Sequence, residues 1–483
     1  MLRFTKDSWL VFILLAIAYA YFYQDPGWNG NSRLGLTFAI VREGRLTIDS
    51  YYNNDASGLK TGDKSVNNGH YYTDKAIGSS VLAAVAYYPI YGLMLLTGHE
   101  WEIWVQKYLL TFLVTGLPSA LCGSLIYILG CYLSKSRLMA LGVTLVIALG
   151  TMCFPFSVIF FGHQLAASLL FIGFFLIFQL KVLPEREPVK RIHYFLIGLF
   201  LGLALLTDFT TAVVVGPLIL YYFYNLWKRG SLFRVAGWIL PAMAGAIPML
   251  LMMGYNTAVY AKPFASGYRY LSNPYYEEAM SHGIMGVGWP HKSVLFYETL
   301  HPAQGLLWQS PVLIMAAVGA YFMLRKKQNR LELALAALAS VAYLLLNSGY
   351  FLWWGGYSFG PRQIVPMLPF LAIPLFFVPR RFYPLVVILG LVSIFQMTVV
   401  AASNVMAPDD NMVRIANLSF FQYSAIYSYC LKQLIAGHFA WNMGQAWLGL
   451  TGWLSLLPFG ALLLAGVGLF IKLEPSLPRL SEG

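Results

Sequence analysis

The sequence predicts an all-α integral membrane protein: a bundle of about twelve spans with interfacial helices in its first long polar loop. Three observations predict it. Only 11% of the 483 residues are charged while 58% are hydrophobic, whereas a soluble chain carries about a quarter charged residues. Mean hydropathy is accordingly positive, +0.63, and the apolar residues gather into runs near the roughly 20 residues that cross a core of about 30 Å. Lys and Arg outnumber Asp and Glu by 32 to 20, and they sit in short clusters between the runs, as they do in cytoplasmic loops. Backbone in lipid must satisfy its own hydrogen bonds, so spans of this composition are helices.

The N-terminal stretch starts basic, with Arg3 and Lys6, and then turns apolar. Ala18 and Ala20 are spaced like a signal-cleavage site. Tyr21, Phe22 and Tyr23 follow at once, as at a membrane interface, so the stretch is read as an uncleaved first span. The apolar runs are about 9–23, 107–132, 139–157, 162–180, 193–209, 211–227, 235–253, 309–324, 331–349, 362–378, 382–402 and 447–471. With the N-terminus cytoplasmic, one side collects every basic cluster: Lys135/Arg137, Lys181 to Arg191, Lys228/Arg229/Arg234, Arg325 to Arg330, Arg380/Arg381, and the tail with Lys472 and Arg479. A further apolar run, 79–97, would invert every later loop if it crossed. It contains Pro89 and Gly92 and ends at Gly98-His99-Glu100-Trp101, so it is placed in the outer interface. The chain then divides into a transmembrane module, 1–402, with outer loops 24–106 and 254–308, and a remainder, 403–483, holding an outer loop, the last span and the tail.

Several classes are excluded. The net charge of +12 is dispersed among loops, so nucleic acid is not a partner. Cys122, Cys131, Cys153 and Cys430 have neither disulfide-framework nor ligand spacing, and the histidines are scattered, so no metal site is predicted. No P-loop or dinucleotide fingerprint occurs, and the cytoplasmic loops are too short for a nucleotide-binding domain. Chemistry is expected on the outer face.

In the first outer loop, Ser32 is a candidate N-cap, Leu36, Ile40 and Val41 recur at helical spacing, and Gly44 can end the helix. Asp49 lies just beyond. Thr61-Gly62-Asp63-Lys64 follows, then Tyr71-Tyr72-Thr73-Asp74-Lys75 directly before the interfacial run. His163 and Asp208 sit at outer ends of spans, where a charge at membrane depth marks a cavity; a packed histidine and a turn cap are the plainer readings. The stretch Trp353-Trp354-Gly355-Gly356-Tyr357-Ser358-Phe359-Gly360-Pro361-Arg362 is more than an aromatic belt. Its glycines permit close ligand approach, and its arginine can hold a phosphate in paired hydrogen bonds. The second outer loop carries Tyr268, Tyr270, Tyr275 and Tyr276 with His282, His291 and His301, an aromatic set suited to stacking on sugars or resting on the membrane.

The pattern resembles the C-type (GT-C) membrane glycosyltransferases, in particular bacterial members related to the protein mannosyltransferases and the lipid A aminoarabinose transferases (a family-39-like layout). The residues that carry the resemblance are Asn31-Ser32-Arg33 on the loop helix, Tyr71 to Lys75 before the interfacial helix, and the Trp354 to Arg362 stretch followed by Pro366 and Pro369. The resemblance implies a GT-C-like bundle that uses a polyprenyl-phosphate-linked sugar as donor. It implies transfer, with inversion, to a glycan, lipid or protein acceptor at the outer face of a bacterial inner membrane, with membrane lipids as partners and a divalent cation as an optional cofactor. An acidic residue of the first loop would be the general base, Asp49 first and Asp74 second. Arg33, Lys75 and Arg362 would bind the lipid phosphate, and His163, Asp208, Tyr72, Trp354 and Tyr357 would line the cavity. The chain departs from the family where relatives carry an acid just before the loop arginine, here Asn29-Gly30-Asn31, and again at His163-Gln164. A lipid-linked saccharide flippase, or a polysaccharide polymerase or ligase, are the competing readings.

Overall fold

The computed structural model describes residues 2–184, 187–406 and 424–473. The expected tail with Arg479, and residues 407–423 of the last outer loop, lie outside the described residues. Seven helices are long and apolar enough to cross a membrane and run end to end: Ile103–Ser134, Gly162–Val182, Phe209–Lys228, Ala236–Tyr260, Arg330–Ser348, Arg380–Ala402 and Gly452–Lys472. Four shorter apolar ones join them, Arg137–Leu149, Arg191–Thr207, Pro311–Arg325 and Arg362–Leu375, along with Lys6–Ala20. Twelve helical segments among the described residues thus form the bundle. The fold is all-α, as the composition predicts. The first helix stops at Ala20 rather than 23, because Phe22–Tyr23 pairs as a short antiparallel strand with Trp441–Asn442.

The two ends of the bundle are chemically distinct. At one end the Arg137 guanidinium brackets Asp7 with two 3.0 Å bonds, Lys181 meets Glu332 at 2.8 Å, and Arg229 caps the carbonyls of Leu180 and Leu183. Basic clusters gather there. At the other end lie the Phe22–Tyr23 strand, Gln24 bonded to the Ala401 carbonyl at 2.8 Å, and Tyr21 bonded to the Ser455 carbonyl at 2.6 Å. This is the loop end.

The helix Gly78–Thr97 is long and apolar enough to cross a membrane, yet both of its ends lie at the loop end. At its start, a Cβ on Gly78 would come within 2.5 Å of the Thr207 backbone nitrogen, at the outer end of Arg191–Thr207. Towards its finish, Tyr87 bonds Gln106 at 2.6 Å, and Arg42 reaches Glu100 at 2.9 Å and Gln106 at 2.8 Å. Lys107 then pairs with Asp25, just beyond the first helix. The helix therefore runs across the loop end of the bundle.

Close helix packing relies on small residues where lipid supplies no hydrophobic drive. Gly198 and Gly202, four apart, face Ala236–Tyr260; a Cβ on Gly198 would lie 2.0 Å from the Pro241 carbonyl oxygen, and one on Gly202 would lie 2.8 Å from that of Gly245. Gly198→Val therefore forces the two helices apart. Overpacking of this kind costs about 1–3 kcal/mol, and the thermal midpoint in detergent should fall accordingly, while a valine at the open position Gly216 should leave it in place.

Candidate active site

The site is built on the loop helix Gly27–Phe38. A Cβ on Gly30 would lie 2.7 Å from the Phe160 carbonyl, so this helix abuts the chain leading into Gly162–Val182. Arg33 is buried on its inner face. The guanidinium donates to the Ala76 carbonyl at 2.8 Å, to Ser79 at 2.9 Å and to Asn29 at 3.3 Å. Ser32 and Thr73 hydroxyls meet at 2.8 Å. The loop helix is thus zipped to the segment Thr73–Ser80, with Asn29 bonded to the arginine one turn on.

Between the two runs a two-stranded hairpin, missing from the expectations, pairs Ser65–Asn67 with His70–Tyr72. Its two-residue turn is Asn68-Gly69, with φ of +49° and +79°, the conformation a tight hairpin asks of Asn-Gly. Across the hairpin's free edge the second outer loop docks: Val66 donates to the Tyr270 carbonyl at 2.7 Å, and Ser272 to that of Lys64 at 3.1 Å. Gly267 is pressed on Asp74, where a Cβ would stand 3.0 Å from the Asp74 Cα. Asp63 precedes the hairpin; Asp74 and Lys75 follow it.

The result is a buried charge cluster. Lys75 Nζ lies 2.9 Å from Asp63 Oδ2 and 3.0 Å from Asp74 Oδ2. Burial pushes the Asp63 carboxyl up, but Lys75, Arg362 and Arg33 outweigh it and hold the group below the ordinary carboxylate range. Burial also pushes Asp74 up; there Lys75 is offset in part by the neighbouring Asp63, and the carboxyl ends above that range. Burial lowers Lys75, but Asp63 and Asp74 together raise it. Burial likewise raises the Tyr268 hydroxyl, which the second loop brings into the field of Lys75 and Arg33. Two carboxyls driven apart in this way separate the roles of base and acid. Asp63 keeps 26% of its side chain exposed and Asp74 only 5%.

Three further expected residues flank the cluster. His163 Nδ1 and Asp208 Oδ2 meet at 2.8 Å, and the other Asp208 oxygen accepts from the Thr210 amide at 3.0 Å and its hydroxyl at 2.8 Å. Asp208 is both a turn cap and a histidine partner. The Arg362 guanidinium sits 4.9 Å from the Phe161 ring centroid, its Nε buried without a hydrogen-bond partner among the described residues. Beside the cluster opens an apolar groove of about 710 Å³ between the loop helix, the interfacial helix and Ala236–Tyr260, walled by Leu36, Ile40, Ile77, Val81, Leu250 and Tyr255. Ile77 lies two residues beyond Lys75.

Of the expected site residues, Arg33, Asp74, Lys75, His163, Asp208 and Arg362 converge. Asp49, the first choice of base, stands outside: its carboxylate is taken by His70 at 2.7 Å and the Tyr71 amide at 2.8 Å. Tyr72 packs in an apolar cluster with Leu36, Ile48 and Tyr260. Trp354 turns its indole nitrogen into the interior, whereas Tyr357 is 59% exposed and faces away. Asp63 and Tyr268 were not singled out; the one available signal was the Thr61-Gly62-Asp63 turn ahead of an Asn-Gly hairpin. No group of three or more His, Cys, Asp or Glu close enough to hold a metal ion occurs among the described residues.

No protein-family model matches the chain, and no curated protein matches it. Among solved structures, the chain is similar to ArnT from Cupriavidus metallidurans bound to undecaprenyl phosphate, at 15% identity and a TM-score of 0.47, over 97% of this chain and 76% of that one. The apo form of the same protein aligns at 13% identity and a TM-score of 0.45, over 95% and 73%.

Removing the central cation leaves the buried Asp74 carboxyl without its pair, a loss that typically costs about 3–5 kcal/mol. Lys75→Met should therefore lower the thermal midpoint strongly at neutral pH. Without Lys75 the Asp74 carboxyl, already raised by burial and by Asp63, rises further above its unfolded value. That contribution is present at low pH and lost as pH rises, so the deficit against wild type should shrink as pH falls from about 8 to about 4.5. Thermal unfolding in detergent across that range checks both the size and the sign.

Proposed function

We propose that the chain transfers a sugar from a polyprenyl-phosphate carrier to an acceptor hydroxyl at the loop end of the bundle, as a C-type glycosyltransferase. The observation that carries the reading is a cation-rich buried cluster, with its two carboxyls held apart in acidity, at the mouth of an apolar groove. The groove takes the isoprenoid, and the phosphate faces Lys75, Arg33 and Arg362. Lys75, Arg33 and Arg362 bring three cations to one place, which suits it to receive an anion.

In the reaction the acceptor oxygen attacks the anomeric carbon while Asp63 takes its proton, since Asp63 is the carboxyl kept ionised and the more open of the two. The bond from the anomeric carbon to the phosphate oxygen breaks with its electron pair on that oxygen. The charge that gathers on the departing lipid phosphate is met by Arg362 and Arg33, fixed before the reaction begins. Attack from the face opposite the phosphate inverts the anomeric centre. On this reading the basic end is cytoplasmic, in keeping with the positive-inside bias, and the site faces the outer side of a bacterial inner membrane.

The test is transfer of radiolabelled sugar from native lipid extract by purified protein. Asp63→Asn should lower the rate by about 10²–10⁴-fold, and Arg362→Ala should depress it as well. Asp74→Asn, at the carboxyl shifted upward and the more enclosed of the two, should stay within about tenfold of wild type. The reverse order would assign the base to Asp74. No transfer by wild type, with lipid-linked sugar still bound, would replace the enzyme by a carrier of the same ligand.

A further inference from the structure

Behind Arg362 lies a second group of buried polar side chains that the transfer chemistry does not use. The short helix Lys292–Thr299 of the second outer loop buries Glu298 completely. One of its oxygens accepts from Asn347 Nδ2 at 2.6 Å; the same nitrogen reaches the Trp353 carbonyl at 3.0 Å, and Gln363 Nε2 reaches that of Leu352 at 3.3 Å. The Trp353–Arg362 stretch folds over this group. Gly360, at φ +68°, brings its backbone so close to Gln309 that a Cβ would stand 2.9 Å from the amide oxygen. Gly355, at φ +89°, lies against Ser358 and the Arg362 side chain.

What remains unbonded defines what could bind. Glu298 Oε1, Asn347 Oδ1, Gln363 Oε1, both polar atoms of Gln309, Ser358 Oγ and Trp354 Nε1 are buried with no hydrogen-bond partner among the described residues. Buried polar groups are ordinarily satisfied. A phosphate only accepts and would call for donors throughout; an isoprenoid would call for neither. A mixed set of acceptors and donors beside an indole matches ligands whose hydroxyls both donate and accept. A lipid-linked sugar hangs from its phosphate by one oxygen, so its pocket must adjoin the phosphate site. Arg362 supplies that adjacency, since its charge acts on Asp63 on one side while its stem touches the Gly355 turn on the other.

The geometry points to this set of unpaired side chains as the recognition site for the sugar of the lipid-linked donor, an uncharged sugar recognised through its hydroxyls by Glu298, Gln309, Asn347 and Trp354. This rests on reading the charge cluster as the lipid-phosphate site. Burial pushes the Glu298 carboxyl up to about 8, with the Asn347 hydrogen bond lowering it only in part and no cation acting on it. It therefore stands mainly as a neutral acid that can donate to a hydroxyl.

The test compares binding of bare undecaprenyl phosphate with undecaprenyl phosphate carrying glucose, mannose, galactose or N-acetylglucosamine, and with the 4-amino-arabinose form. The full chain is used in detergent. Wild type should bind at least one neutral-sugar lipid about tenfold or more tighter than the bare lipid. Gln309→Ala and Asn347→Ala should erase that margin while holding bare-lipid binding within about twofold; Ser358→Ala, a milder change, should narrow it if either variant is unstable. Glu298→Gln, neutral and of the same shape, should keep the margin. Equal binding of bare and sugar-bearing lipids by wild type would overturn the sugar site and leave the phosphate site standing. Tighter binding of the amino sugar, or loss of the margin in Glu298→Gln, would overturn the assignment to an uncharged sugar. Failure of bare lipid phosphate to bind would overturn the phosphate site and this inference with it.

Discussion

The arrangement at the loop end depends on one buried cation. Lys75 sits between Asp63 and Asp74 at salt-bridge distance, largely out of water. Taking each ion of such a set from water costs several kcal/mol, recovered only where geometry is good and the remaining polar atoms find partners. Both carboxyls come from a loop, and loops hold such geometry only when something clamps them. The surrounding structure supplies the clamp.

The hairpin turns the chain back so that residues 63 and 74, eleven positions apart, face one ammonium. The second outer loop closes the hairpin's free edge through Tyr270 and Ser272, and the absence of a side chain at Gly267 lets it lie on the Asp74 backbone. Gly78 and Gly162 do the same work from the membrane side, the first letting the interfacial helix start against Thr207 and the second leaving room for the Arg33 guanidinium. A larger residue at any of these contacts acts on the carboxyl pair through displaced backbone, not through lost hydrogen bonds.

The bundle was largely legible in the sequence, because apolar runs and basic clusters are local signals that lipid enforces strictly. Counting loop parity even placed 79–97 across the top, although by length and hydropathy alone it qualifies as a span. The site was legible in part. Arg33 and Lys75 were singled out through the resemblance carried by Asn31-Ser32-Arg33 and by Tyr71 to Lys75, and Arg362 through the glycine-rich stretch before it. As base, Asp49 was put first and Asp74 second while Asp63 was passed over, since each is a loop acid near turn residues. What separates them is hairpin register and a contact with Gly267 nearly two hundred residues away, neither of which leaves a local trace. The Asn68-Gly69 turn was a genuine signal, but strands of three residues are too short to show alternation.

The two ends of the bundle both bury ion pairs, and the difference between them distinguishes scaffold from site. At the basic end Arg137 is saturated: its three nitrogens reach Asp7 twice and the carbonyls of Phe470 and Leu473, and Asp7 also accepts from Tyr127 at 3.1 Å. Charge is matched one to one, which pins the first helix to its neighbours and leaves nothing for a ligand. At the loop end Arg362 Nε and Asp74 Oδ1 lack partners among the described residues, and an apolar groove opens alongside. Unfinished polar bonding is tolerated in a folded interior mainly where a substrate completes it. By that argument the basic end serves as scaffold, and the loop end holds the unpaired groups that we read as the site.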